Sequence, residues 1–390
     1  MRRILKRFTG LFCVLALCLS MLPVSALAAE DAPSNQPTTL LSDDNVAKIE
    51  ENEYPTLDEA VNAAEDGATI ELLADATTKG WNLTKSLTIT SAPDLAEKPT
   101  VTFEKDGIAL WGKTLTFKGI DVVMNGVGST PYGEWTWMTI CASKDAVLAL
   151  DNVNMTMDAT GSTGSPHAIY FCSNNKLNLT NGSVLTIKNY PNDALEWDGG
   201  DGGYNVNITN STFISDHNRS GFTGTFYATI TNSKVDVVNN LGNGSNGSHF
   251  IIEDSEVNFN NNGSHGLSAG ELSIDNSTVN TKNNNGMGIT VNNAFTVENG
   301  SIVTVTGNAG NPSYGYAAVR LYNDYPFTVD STSELYIEDN NNTGLYVRQG
   351  NLTVEDGAVL KITGNKVSHS LLDGYGGGIY VGYGDNYDPT

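Results

Sequence analysis

Along most of the chain, short stretches of alternating apolar and polar residues end in a polar turn. SLTIT (86–90), TLTFKG (114–119), VLALDN (147–152), KLNLTNGS (176–183), NVNITNS (205–211), ATITNS (228–233), IIEDS (251–255), LSIDNS (272–277), FTVENGS (295–301), FTVDSTS (327–333) and LTVEDGA (352–358) share this form. A period of two marks a strand that buries one face. The last apolar residue of each strand gives a marker series: Ile89, Phe117, Leu150, Leu179, Ile208, Ile230, Ile252, Ile274, Val297, Val329 and Val354. Successive markers lie 28, 33, 29, 29, 22, 22, 22, 23, 32 and 25 residues apart. A floor of 22 with irregular excess describes a coil whose strands stay in register while insertions bulge from its corners.

Each unit holds three short strands. In 272–293, LSI is followed by the turn DNS, then TVNT, then KNNNG, then GITV. Each strand pairs in parallel with its equivalent in the next coil. At ~4.8 Å per coil, about eleven coils stack to roughly 50 Å. The second turn is rich in Asn: 239–240, 260–262, 283–285, Asn308 and 340–342. Asn accepts left-handed backbone, and its amide can bond to the same amide one coil away, so these runs predict stacking ladders. Before the first strands, YPTLDEAVNAAEDGATIELL (54–73) predicts a short helix. Thr56 and Glu59 form a capping box, Leu57, Ala60, Val61 and Ala64 share one face, and Gly67 ends it. This helix is expected to lid the first coil.

The lid helix followed by such coils resembles the right-handed parallel β-helix of the pectin-lyase-like superfamily, over residues 54–390, and most resembles bacterial cell-surface, adhesin-type β-helix proteins. The resemblance implies an all-β fold. It leaves function open between lyases, glycoside hydrolases, tailspikes and adhesins. After LKITG (360–364) the chain runs through GGGIYVGYGDNYDPT (376–390) to its end, and further carboxyl-terminal modules or a covering partner are expected.

Composition fixes the surroundings. Arg2, Arg3, Lys6 and Arg7, the apolar run 11–22 and Ala26-Leu27-Ala28 read as a secretory signal over 1–28, with no later stretch of membrane length. Residues 29–53 read as a flexible acidic leader. The chain carries 21 basic and 44 acidic residues, a formal charge of −23. Without the four basic residues of the signal, 17 face 44 and the charge is −27. That excludes a nucleic-acid partner and favours cations and sugars, in an extracellular or cell-surface setting.

Candidate chemistry is sparse. By resemblance, the lyases bind Ca²⁺ through clustered carboxylates and use Arg or Lys as base. NDALEWDGGDGG (192–203) supplies Asp193, Glu196, Asp198 and Asp201 as candidate Ca²⁺ ligands. Aligning ALEW with AIYF (168–171) turns Leu195 and Trp197 inward, and Glu196 and Asp198 outward beside Tyr170 and Cys172. SDHNRSG (215–221) adds Arg219, so Glu196, Asp198 and Arg219 are the acid–base candidates. The superfamily's hydrolases carry paired Asp with a Gly-His-Gly turn. GSHG (263–266) departs from it and lacks the Asp pair. No His/Cys spacing suits zinc. Arg320 in AAVRL and Arg348 in LYVRQ are expected to stack outward, flanked by Tyr346 and Tyr380, as either an exposed ladder or a sugar contact. Trp135 and Trp137 in EWTWMTIC (134–141) suit a sugar-binding groove or packing under a corner loop. Cys141 and Cys172 are expected to stack one coil apart, which leaves a disulfide or two thiols open. The N-x-S/T triplets at Asn178, Asn207 and Asn351 fall in or beside the repeat's strands and read as by-products of its composition. The leading expectation is a secreted or surface β-helix that binds glycans or serves as an adhesive stalk. The alternative is a polysaccharide lyase or hydrolase acting near 193–219.

Overall fold

A computed structural model describes residues 45–127, 137–162, 164–197, 203–309, 317–366 and 377–381. It is an all-β parallel solenoid. The coil containing Glu271–Asp275, Thr278–Lys282 and Ile289–Val291 shows the repeat: three strands, each paired in parallel with its equivalents before and after. The eleven markers form one continuous in-register column, preceded by Ile70 opposite Ile89. The coil count is therefore close to the eleven that the spacing predicts. From Ile70 to Val329 the column is fully buried, and it forms part of one continuous apolar core. At about 25 cal/mol per Å² of apolar surface, this stacked interior is the main stabilising element. At the far end the inward Val354, Ile379 and Val381 are 38%, 48% and 68% exposed.

The 22-residue spacing has a structural counterpart. Phe222–Thr231 and Ser245–Glu253 each run without a break from the third strand of one coil into the first strand of the next. A register shift between Gly224 and Tyr227 turns that corner. The coil is narrow where the third strand begins. A Cβ on Gly244 would lie 2.5 Å from the Gly266 carbonyl oxygen and 2.8 Å from Phe259. Only glycine fits there.

The Asn runs divide their labour. Asn239, Asn261 and Asn283 hold the left-handed turn, with φ of 56°, 58° and 56°. The next residue in each case points inward. Asn240, Asn262, Asn284, Asn308, Asn340 and Asn365 pass side-chain amide hydrogen bonds down the coils at 2.9–3.0 Å. A second ladder, which the sequence reading did not separate from its turns, runs through serines. The backbone amides of Ser211, Ser233, Ser255, Ser277 and Ser301 donate to the hydroxyls of Ser233, Ser255, Ser277, Ser301 and Ser333. Both ladders satisfy buried backbone groups at corners where no strand partner exists.

The lid is as expected in kind, but the helix ends at Ala63 with Ala64 as its C-cap, short of the expected Gly67. The helix Leu57–Ala63 buries Leu57, Ala60 and Val61, and the Thr56 hydroxyl accepts from the Glu59 amide at 3.2 Å. The leader differs. Ala47–Ile49 and Asn52–Tyr54 form an antiparallel hairpin, and Ala47 pairs with Leu72 of the first coil. These strands are too short and polar to show a periodicity. They take their register from the open edge that they cover.

Candidate functional site

The outward face of the third strand is unusually buried. In Met138–Ser143, His167–Phe171, Ala317–Leu321 and Thr343–Val347 both faces are buried. Outside the solenoid interior, Met138, Cys141 and Tyr170 form a second apolar cluster, packed on by Trp111, Trp137 and Cys172.

One polar constellation sits beside this cluster. Ile169, Tyr170 and Phe171 pair with Leu195, Glu196 and Trp197, the alignment expected from the sequence. The same register sets His167 one coil before Asp193, and the Ala168 amide donates to the Asp193 carbonyl at 3.1 Å. One ligand atom each from His167, Asp193 and Glu196 lies within 4.8 Å of the others. His167 is 8% exposed and Asp193 3%. His167 Nδ1 and Glu196 Oε2 are in direct contact, without hydrogen-bond geometry. Asp193 Oδ1, Thr223 Oγ1 and Trp197 Nε1 are also buried with no hydrogen-bond partner among the described residues. Thr223 stands one coil beyond Glu196 in the same column.

Burial pushes the Asp193 carboxyl above its ordinary range, and the nearby Glu196 adds to this. A hydrogen bond with Ser220 and the charges of Arg219 and His167 work in the opposite direction. Two ionised carboxylates at this separation repel by roughly 3 kcal/mol at an effective dielectric near 20. The arrangement thus calls for a proton or a cation. Ca²⁺ takes roughly six to eight oxygen ligands. The donors that converge here include an imidazole nitrogen, and so do not match an all-oxygen Ca²⁺ site.

The rings around this constellation are ordered. Trp137 lies edge-to-face with Tyr170 at 4.6 Å and with His167 at 5.5 Å. Trp137 itself is half-buried, so part of its indole faces outward.

Of the expected site residues, the structure unites Asp193, Glu196, Tyr170 and Trp137. Arg219 is exposed and reaches the group through its charge on Asp193. Asp198, Asp201 and Trp135 lie outside the described residues. Two expected stackings are corrected. Cys141 pairs with Tyr170, not with Cys172. The two sulfurs are not bonded to one another, and a hydrogen bond with Cys172, followed by burial, pushes the Cys141 thiol far above its usual range. Arg320 pairs with Tyr346, not with Arg348. Its guanidinium lies 3.9 Å from the Tyr322 ring centroid and 5.4 Å from that of Tyr346. At 6% exposed, Arg320 is buried against rings rather than part of an exposed ladder. Tyr346 stacks on Tyr380 at 5.2 Å. This group lies five coils from Glu196 along one column, roughly 24 Å, so it belongs to a different place on the solenoid.

Alternation alone passes over His167, yet the alignment of AIYF with ALEW sets it opposite Asp193. Compared with known proteins, the chain matches no protein-family model, no curated protein and no solved structure.

Proposed function

We propose that this is a secreted or cell-surface β-helix protein, of the pectin-lyase-like kind, that binds a glycan on the outward face beside Trp137. The observation that carries this reading is the half-buried Trp137 ring, fixed edge-on by Tyr170 and His167 next to the carboxylates of Asp193 and Glu196. A flat apolar face beside hydrogen-bond acceptors suits a pyranose, which has an apolar face and a rim of hydroxyls. The residues 1–28 support export, and the −27 charge of the remainder suits neutral sugars or cation-bridged acidic ones.

A second reading, cleavage of a polysaccharide, draws support from the raised Asp193 carboxyl close to Glu196, since acid–base chemistry on glycosides uses two carboxyl groups in different states. The test is incubation of the chain with acidic and neutral polysaccharides on an array and in solution. Retention on a glycan without new reducing ends or unsaturated product is the expected outcome. Product formation that is lost in Glu196→Gln would establish the enzyme instead. No retention on any glycan would overturn the binding reading.

A further inference from the structure

We propose that His167, Asp193 and Glu196 form a binding site for one first-row transition-metal dication of the Zn²⁺ type. The site goes beyond glycan binding and does not depend on it.

The geometry is that of a ligand set. One atom from each residue falls within 4.8 Å of the other two. His167 and Asp193 are more than nine-tenths buried, and His167 Nδ1 and Asp193 Oδ1 are without a hydrogen-bond partner among the described residues. Buried polar atoms are almost always satisfied. His167 Nδ1 and Glu196 Oε2 meet in direct contact, and Asp193 Oδ1, buried and unpartnered, converges on the same point, an arrangement suited to something that accepts lone pairs from all three. A cation does this, whereas a proton could serve only one or two. A neutral imidazole and two carboxylates also balance a dication in charge, which removes the repulsion between Asp193 and Glu196.

Donor type selects the metal class. Imidazole nitrogen favours Zn²⁺, Co²⁺, Ni²⁺ or Cu²⁺ over Ca²⁺ and Mg²⁺, which prefer oxygen. Three protein ligands leave a position open for water or a ligand hydroxyl. Thr223 Oγ1 lies buried and unpartnered one coil beyond Glu196 in the same column. Positioning is rigid. His167 opens a strand whose amide donates to the Trp137 carbonyl at 2.8 Å, and Glu196 lies within a paired strand. The slot that holds Asp193 is occupied in later coils by Ser220, Asn243, His265, Met287, Ala317 and Thr343, so the repeat itself does not require an acid there.

The test uses the untagged full chain, stripped with chelator and titrated with Co²⁺, with Zn²⁺ and Ca²⁺ as competitors. The expected result is one Co²⁺ per chain with visible d–d absorption, displaced by stoichiometric Zn²⁺ and unaffected by a large excess of Ca²⁺. His167→Ala should weaken binding at least about 100-fold, since even outer partners of ligands are worth 10–100-fold. Glu196→Gln, close in shape and only partly buried, should give a similar loss, and covers the case in which His167→Ala does not fold. In the parent, Zn²⁺ should raise the melting temperature, and in Glu196→Gln it should not. Absence of a stoichiometric site, displacement by Ca²⁺ as effectively as by Zn²⁺, or unchanged affinity in a folded His167→Ala or Glu196→Gln chain would overturn the proposal.

Discussion

The side-chain amide of Asn240 donates to the carbonyl oxygen of Asn262, one coil on, at 3.0 Å. Asn262 in turn donates to Asn284 at 3.0 Å and to the Val237 carbonyl at 3.1 Å, and its oxygen also accepts from the Asn240 backbone amide. Replacing Asn262 with Ala removes four buried hydrogen bonds at once and leaves the Asn284 oxygen only the residue-262 backbone amide. At about 1–3 kcal/mol for each unsatisfied group, after partial relaxation, the loss should be about 3 kcal/mol or more. Asn261→Gly is the control, because its exposed, left-handed site tolerates glycine at a cost of a few tenths of a kcal/mol or so. Thermal melts with amide hydrogen exchange around 237–284 would check this. Equal stability in the two variants would contradict the ladder's role.

Cys141 is buried and Cys172 half-buried, with their thiols interacting. In the folded chain, an alkylating reagent should therefore modify Cys172 first and Cys141 only on unfolding, as read by peptide mapping. If both stay unmodified until a reductant is added, they are bonded to one another.

Asp158 gives the corner after its strand a pH dependence. Burial works against its ionisation. Hydrogen bonds from Asn189, from the Thr160 hydroxyl and amide, and from Lys188 outweigh it and lower the carboxyl to about 2. A folded value below the ordinary value of about 3.9 means stabilisation that is complete above that range and is lost as pH falls through 2. Asp158→Asn should destabilise by about 1 kcal/mol at pH 5–7, and the difference from the parent should vanish near pH 2. Melts across that range test it, and a constant difference at all pH values would refute the linkage.

Much of the architecture is legible in the sequence because burial imposes it. Every marker from Ile89 to Val354 falls in one column, since inward positions must stack on inward positions. What failed was register at fixed parity. Stacking Cys141 on Cys172, or Arg320 on Arg348, is two residues out in each case. A one-residue slip would turn the core outward, but a two-residue slip keeps every face correct. Period alone cannot detect it. The true register follows the core, with Ile140 on Ile169 and Leu321 on Val347. The candidate site was half-legible. Asp193 and Glu196 stand out as charges in a weakly charged repeat. His167 opens its strand at a corner, where alternation gives no face, and only its alignment with Asp193 reveals it. The hairpin 47–54 and the division of each Asn run into a turn residue and an inward residue depend on contacts between coils that no local pattern encodes.

Glycan binding at the Trp137 face is decided by titrating a retained oligosaccharide into the parent, Trp137→Ala and Tyr227→Ala. Tyr227 is 45% exposed and stacked on His249, in the first-strand column rather than the third, and so controls for a general loss of surface aromatics. Trp137→Ala should bind at least about tenfold more weakly at unchanged melting temperature, with no change for Tyr227→Ala. Equal affinity of Trp137→Ala and the parent would contradict it.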